Sequence, residues 1–192
     1  MSDTTDEERI VRTMEAFRKN RYDVSRFAER TAAADYLARE IRGKRVGFGD
    51  SETLRALSLY ERLSVHNEVV DPPRAGHVGG IEAFLAAGRE ALMTDIFVLS
   101  ANAITEEGQI LNMDGAGNRV AGSLFGHEKT YFVVGINKLV PNIEAGIDRI
   151  HNIAAPRNAH RKGEKKPPAK KALLVVFFPP FPRHNEYRDG DT

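Results

Sequence analysis

The sequence contains no cysteine, and this absence excludes several kinds of chemistry. Without thiols the chain cannot form disulfides, attack a substrate through a thiolate, or bind zinc or an iron–sulfur cluster through cysteine. Long apolar runs are missing too, since no segment of the sequence approaches the roughly 20 apolar residues of a membrane-spanning helix. Neither charge is in excess, because 28 Lys and Arg residues stand against 27 Asp and Glu residues. Composition alone therefore indicates neither nucleic acid nor a membrane as a partner.

Familiar catalytic and metal-binding motifs are absent as well. The sequence has no Walker-type phosphate-binding loop and no serine nucleophile elbow. Its histidines do not pair at a metal-ligand spacing, so we predict no metal site, and we expect His127 and His151 to be structural or surface residues. The six histidines are His66, His77, His127, His151, His160 and His184.

The length of the chain and its two ends suggest one domain followed by a tail. Residues 1–8 are acidic and lack the basic start and apolar core of a signal peptide, so we expect a soluble cytoplasmic protein. Single domains commonly hold ~100–200 residues, and we place an α/β domain at 1–155 and a C-terminal tail at 156–192. The tail joins six basic residues and one acid at 161–171 to an apolar, proline-broken stretch at 172–182. We expect that stretch to lie along the body or a partner chain.

Strand and helix patterns alternate along the predicted domain. The clearest strand is Asp95–Ser100, a short apolar run of β-branched and aromatic residues bounded by polar ones. Such alternation predicts an α/β fold with a mostly parallel sheet. We predict helices at 4–20, 30–42, 80–93, 117–124 and 141–150, a strand–turn–helix unit from residue 44 to 57, and strands at 65–70, 95–100, 108–112 and 129–135.

The segment that follows the buried strand, residues 100–119, is the richest in polar and flexible residues. In parallel sheets ligands bind where the carboxyl ends of the strands meet, so Asn102 and its neighbours are candidates. Glu106 and Glu107 could act as a nucleophile toward an acyl group or as a general base. The stretch Asp114–Arg119 predicts an anion cradle, in which Arg119 is the clamp and Gly115, Gly117 and Asn118 shape the loop. Alternatively, Asp114 caps a turn or helix and Arg119 lies on a solvated helix face.

Two other segments could contribute to the same edge. Gly47, Gly49 and Ser51 follow a predicted strand, where backbone amides and a helix N-terminus would accept a phosphate or carboxylate. The alternative is an ordinary turn in which Ser51 or Asp50 caps the helix. Asn137 and Lys138 follow the strongest β pattern, and they would reach the edge of Asn102 if the strands are parallel. Otherwise they lie in a surface loop.

Four segments of this chain resemble, in the same order, those of the LUD (lactate utilization) domain family, which includes the lactate utilization protein C type. The most specific segment is 101–120, from Ala-Asn-Ala-Ile-Thr-Glu-Glu-Gly-Gln to Met-Asp-Gly-Ala-Gly-Asn-Arg-Val. The others are 46–54, 132–141 and 150–159. The resemblance covers roughly residues 5–160.

This resemblance implies a three-layer sandwich around a mostly parallel sheet, similar to sugar-phosphate isomerases and coenzyme A transferases. It also implies a role in or beside the bacterial oxidation of L-lactate to pyruvate, next to iron–sulfur oxidoreductase partner proteins. Relatives of this subgroup often carry cysteines after the Ala-Ala-Pro-Arg-Asn segment, near positions 168, 174, 177 and 184 here. This chain has none there, so we do not expect a metal or redox role for its tail.

We therefore predict a protein that binds a small anionic metabolite or a phosphate-bearing cofactor at the strand carboxyl edge. No pattern identifies the cofactor, and self-association into a homo-oligomer stays open. One alternative is a coenzyme A transferase-like or isomerase-like enzyme that uses the carboxylate of Glu106 or Glu107. Another is a non-catalytic subunit that docks iron–sulfur redox partners through the basic run at 161–171.

Overall fold

A computed structural model of the chain describes residues 5–161 and 173–177. The predicted basic run, apart from Arg161, lies outside the described residues, as do residues 178–182 and His184. Within the described part, strands and helices alternate as the sequence pattern predicts, and the α/β class is confirmed.

The main sheet has four strands, all parallel, in the order β2-β1-β3-β6. Its central strand β3 is buried at every position, which matches the continuous apolar run of the sequence. Because the strands are parallel, their carboxyl ends share one edge of the sheet. The strand bounds are Arg45–Phe48 (β1), Glu68–Val70 (β2), Ile96–Leu99 (β3) and Lys129–Phe132 (β6).

Helices cover both faces of this sheet, which gives three layers. Val46 and Val98 pack with helices α2 to α4 on one face, whereas Phe97 and Leu99 pack with Ala91 of α5 on the other. The alternation follows from the two-residue period of a strand. The helix bounds are Asp6–Lys19 (α1), Arg30–Glu40 (α2), Glu52–Ala56 (α3), Leu59–Leu63 (α4), Pro72–Ala91 (α5), Asn118–Leu124 (α6), Ile143–Arg149 (α7) and Ala155–Arg161 (α8), with a π-helical turn at Ile150–Ala154 between the last two.

A second, mixed sheet was not predicted. Its strands run in the order β7-β4-β5-β8, where β4 pairs parallel with β7, and β5 pairs antiparallel with both β4 and β8. Strands β5 and β8 have five residues each, whereas β4 and β7 have three and two, too few for a two-residue period to be recognised in the sequence. The bounds are Ala103–Thr105 (β4), Ile110–Asp114 (β5), Leu139–Val140 (β7) and Leu173–Phe177 (β8).

One predicted helix start was wrong, and one predicted helix has a further segment before it. Helix α5 consists of two helical segments joined at a kink at Gly80, which has φ 71° and ψ −159°. The second segment corresponds to the helix predicted from residue 80. The first was not predicted; it begins at Pro72, because the Asp71 side chain caps it and prolines fit a first helical turn. The helix expected at Pro141 begins at Ile143, because Asn142 is the residue that caps it, accepting from the Ala145 amide at 2.9 Å. Pro141 therefore lies before the helix.

The chain continues as helix beyond residue 155, the predicted end of the domain. From Ile143 to Arg161 the chain runs through α7, the π-helical turn and α8, and β8 then pairs with β5. The division of the chain into a domain at 1–155 and a tail stays a prediction. Within the described residues, no helix is both long and apolar enough to cross a membrane.

Candidate functional site

The polar residues of the candidate site follow the carboxyl ends of three parallel strands. Thr53 comes after β1, Ser100 directly follows β3, and Lys138 lies six residues beyond β6. Because these ends share one edge, the three side chains meet there. The Lys138 Nζ donates hydrogen bonds to the Thr53 Oγ1 at 3.0 Å, the Ser100 Oγ at 2.8 Å and the Ala101 carbonyl at 2.9 Å.

Lys138 has an unusual environment for a lysine. Burial, and then the neighbouring guanidinium groups of Arg119 and Arg149, lower its pKa from 10.5 to about 8, against an opposite effect of Glu52. Its three hydrogen-bond acceptors are uncharged oxygens. This amine is therefore closer to neutrality at physiological pH than an exposed lysine would be.

Arg149 reaches the site from the last turn of α7. Its Nη1 donates to the Asn102 carbonyl, and its Nε donates to the Asn137 carbonyl at 3.3 Å. Burial, followed by the charge of Arg157, lowers the pKa of Arg149, although a guanidinium stays charged over the physiological range. The Asn137 side chain is exposed, so its described link to the site is its backbone carbonyl.

Arg119 lies in the first turn of α6 and is fixed on three sides. Its Nε donates to the Asp114 Oδ1 at 2.7 Å, and its Nη2 donates to the Asn102 Oδ1 at 2.7 Å and to the Met113 carbonyl at 2.9 Å. Its side chain is 11% exposed and that of Asp114 is 7% exposed. The Asp114 Oδ2 also accepts from the Val120 amide at 2.8 Å. Asp114 thus both caps α6 and holds the arginine.

The loop between β5 and α6 brings the other predicted cradle residues beside this pair. Gly117 precedes α6 with φ 84°, a left-handed conformation that glycine adopts without strain. Gly115 is exposed and Asn118 is half-buried. The predicted cradle is thus centred on the Asp114–Arg119 ion pair.

Asn102 is the residue on which the site is built. All three cations donate to atoms of the dipeptide Ala101-Asn102, as described above for Lys138, Arg149 and Arg119. The backbone N–H of Asn102 in turn donates to the Leu111 carbonyl and to the Asn112 Oδ1, both at 3.0 Å. These bonds anchor the dipeptide to β5. A rigid anchor holds three positive charges close together, and such a cluster attracts anions.

Gly47 lies within β1 and not after it as predicted, whereas Gly49 follows the strand, and both glycines have packing functions. A Cβ at Gly47 would lie 2.5 Å from the Ala91 carbonyl oxygen, and a Cβ at Gly49 would lie 2.9 Å from the Arg119 Cγ. Ser51 caps α3, since its buried hydroxyl accepts from the amides of Thr53 at 3.1 Å and Leu54 at 3.5 Å. This is the capping alternative that the sequence left open.

Glu106 and Glu107 have partners outside the cation cluster. The Glu106 carboxylate accepts from the Arg9 Nε at 2.8 Å and the Arg12 Nη2 at 3.2 Å, both on α1. The exposed Glu107 carboxylate accepts from the Gln109 Nε2 at 3.0 Å. Their catalytic role stays a prediction.

A broad open cleft runs along the cation cluster. It is lined by eight of the residues that the sequence singled out, but among the described lining residues Gly47, Gly49, Gly117, Glu106 and Glu107 do not appear. The eight are Ser51, Asn102, Asp114, Gly115, Asn118, Arg119, Asn137 and Lys138. Over the part of the chain that the structure describes, no group of three or more His, Asp or Glu side chains is placed to hold a metal ion.

Sequence reasoning missed Thr53, Ser100 and Arg149 as site residues. Ser100 and Thr53 follow strands that were predicted, so their position at the carboxyl edge was a usable signal. The position of Arg149 gave no such signal. Arginines are common in the last turn of a helix, because their positive charge interacts favourably with the helix dipole there.

The fold and this cluster define an α/β protein with a cationic site at the carboxyl edge of a parallel sheet. The chain belongs to the LUD domain family, whose model matches residues 10–172, a family associated with lactate utilization. Its fold is similar to the crystal structure of a DUF162 family protein from Deinococcus radiodurans, with a TM-score of 0.51 and 14% identity over 92% of this chain and 90% of that one. No curated protein matches the chain. The kinship to sugar-phosphate isomerases and coenzyme A transferases stays a prediction.

Proposed function

We propose that this protein binds a small anionic metabolite between Arg119, Lys138 and Arg149, and that it acts in or beside the oxidation of L-lactate to pyruvate. The observation that carries this proposal is the convergence of three cations on the dipeptide Ala101-Asn102. The family's association with lactate utilization supports the choice of a short carboxylate.

The charges of the cluster favour an anion. Arg119 is paired with Asp114, but the hydrogen-bond acceptors of Lys138 and Arg149 are hydroxyl and carbonyl oxygens, which carry no net charge. A bound carboxylate or phosphate would supply the negative charge through charge-assisted hydrogen bonds to the guanidinium groups, and Lys138, whose three donors are already used, would contribute its charge.

The spacing of the cluster favours a small ligand. The three cations donate to two consecutive residues, whose Cα atoms lie ~3.8 Å apart across a trans peptide, and Asn102 is tied to β5 by backbone and side chain. Arg119 and Arg149 also lie close enough to Lys138 for their charges to lower its pKa. We therefore expect a ligand of three or four carbons to contact more than one of the cations.

Isothermal titration calorimetry on the full chain tests the proposal with L-lactate, pyruvate, acetyl-coenzyme A and a sugar phosphate. Lactamide, which has the size of lactate without its charge, is the control ligand. We expect at least one anion to bind and lactamide not to bind. If folded protein binds none of the anions, or binds lactamide as tightly as lactate, the proposal is wrong.

A pair of variants locates the binding. Arg149→Gln removes one cation of the cluster, and the loss of a charge-assisted hydrogen bond should weaken anion binding roughly 10- to 100-fold. Arg62→Gln is the matched control, because Arg62 pairs with Asp35 on the exposed surface. Equal affinities of the two variants would contradict the assignment of the site.

A further inference from the structure

The hydrogen-bond partners of Lys138 suit a lysine that changes its protonation state. Two of the three partners, Thr53 and Ser100, are hydroxyls, and a hydroxyl can accept a proton from an ammonium or donate one to a neutral amine. A carboxylate partner would instead hold the lysine in its charged form. The arrangement around the Nζ therefore accommodates both forms of the side chain.

Lys138 also lies on the open cleft, where a ligand could reach it. Lys138 and Thr53 line this cleft together with Arg119 and Arg149, whereas Ser100 is buried, 1% exposed. Desolvation and then nearby positive charge lower the pKa of Lys138 to about 8, a combination that activates lysine amines as nucleophiles. At pH 7, about a tenth of this amine would be neutral, against less than about a thousandth of an ordinary lysine.

We propose that Lys138 forms an imine with a small carbonyl compound that also carries an anionic group. This inference rests on the proposed function, because Arg119 and Arg149 would hold the anionic group while the amine reaches the carbonyl carbon. It assigns to Lys138 a covalent role in addition to its charge.

The reaction balances without any further reagent. The neutral amine attacks the carbonyl carbon, a C–N bond forms, and the resulting carbinolamine loses its oxygen. Both amine hydrogens leave with that oxygen as water, and the C=N double bond remains. The hydroxyls of Thr53 and Ser100, which lie within 3.0 Å of the Nζ, are placed to pass these protons between nitrogen and oxygen.

Reductive trapping tests the inference on the full chain with pyruvate as the probe. The protein is incubated with pyruvate near neutral pH, sodium borohydride reduces any imine to a stable secondary amine, and mass spectrometry of peptides locates the adduct. We expect Lys138 to be labelled at least about tenfold more than Lys129, a half-exposed lysine. L-Lactate, which is anionic without a carbonyl, and acetone, which has a carbonyl without charge, should label Lys138 far less.

Two variants separate chemistry from charge. Lys138→Arg keeps the positive charge and removes the reactive amine, so the adduct should disappear from intact-mass spectra. Lys129→Arg should leave the adduct unchanged. Labelling spread evenly over the lysines, or an undiminished adduct in Lys138→Arg, would overturn the inference.

Calorimetry distinguishes failure of the imine proposal from failure of the proposed anion binding. If wild-type protein binds pyruvate in calorimetry but gives no adduct at Lys138, the imine is wrong and the anion site stands. If pyruvate neither binds nor forms an adduct while another anion binds, Lys138 acts as a charge only and the inference is again overturned. If no anion binds at all, both proposals fail.

Discussion

Gly49 makes room for the side chain of Arg119. A Cβ at position 49 would lie 2.9 Å from the Arg119 Cγ and 2.9 Å from the Leu99 Cβ, closer than atoms in a packed interior tolerate. The glycine after β1 therefore allows an arginine from α6 to lie across the edge of the sheet and reach Asn102.

Gly49→Ala should weaken anion binding by displacing Arg119. The added methyl group must push the arginine or Leu99 aside, so we expect an affinity loss of several-fold and a destabilisation of about 1–3 kcal/mol. Calorimetry and thermal unfolding measure the two effects. Gly88→Ala is the control, because a Cβ there meets its nearest atom at 3.9 Å; it should leave binding intact.

The ion pair of Arg119 and Asp114 should contribute to stability as well as to the site. Arg119→Met would leave a carboxylate with 7% side-chain exposure without its cation, and breaking a buried pair in this way costs about 3 kcal/mol. Arg62→Met breaks a surface pair and should cost at most about 1 kcal/mol. Urea unfolding of both variants checks the difference, and similar losses would mean that the Arg119 pair is worth no more than a surface pair.

Glu106 offers a test between a catalytic and a structural carboxylate. The contacts with Arg9 and Arg12 predict that Glu106→Gln loosens α1, at a cost of about 1 kcal/mol, without changing anion affinity. Arg9→Gln should have a similar effect on unfolding. A loss of ligand binding or turnover in Glu106→Gln, with Arg9→Gln unaffected, would instead support the sequence-based role of Glu106.

The main sheet could be predicted from sequence because strand patterns alternate with helix patterns and the central strand β3 is a continuous apolar run. Residues 95–100 show this most clearly, since each residue of β3 is buried and no polar alternation obscures the pattern. The second sheet could not be predicted in the same way. Strand β7 has two residues and β4 has three, and these lengths carry no period.

The sequence predicted where the candidate site lies, but only some of the residues that form it. Strand ends directed attention to Asn102, Asp114 and Lys138, because loops after parallel strands share an edge. The sequence could not show that Gly49 leaves space for the Arg119 side chain, since the two residues lie 70 positions apart in the chain. For the same reason it gave no indication that Arg149, on a later helix, donates to the Asn102 carbonyl.

The pH dependence of binding should follow Lys138. Its pKa of about 8 means that the lysine loses its charge as pH rises through that value, so anion affinity should fall between about pH 7 and about pH 9.5. Calorimetry at the two pH values measures the fall. In Lys138→Met the affinity should be lower and nearly independent of pH, because the arginines stay charged; a fall as steep as that of wild type would assign the pH dependence to another group.

The same pKa shift should make the free energy of unfolding rise with pH, whereas the anion affinity should fall. An ordinary lysine pKa is 10.5, so between pH 8 and 10.5 the unfolded chain holds more of this proton than the folded chain does. The contribution of Lys138 to the free energy of unfolding should therefore rise with pH in this window. Urea unfolding of wild type and Lys138→Met without ligand should diverge there; parallel curves would contradict the shift.

The central claim, that Arg119, Lys138 and Arg149 together form an anion site, is tested most directly by one titration. Calorimetry compares wild-type protein with the double variant Lys138→Met, Arg149→Gln, using the anion that wild type binds most tightly. We predict that the double variant, with its fold verified by circular dichroism, shows no measurable binding. Wild-type affinity in a folded double variant would place the ligand elsewhere and contradict the account.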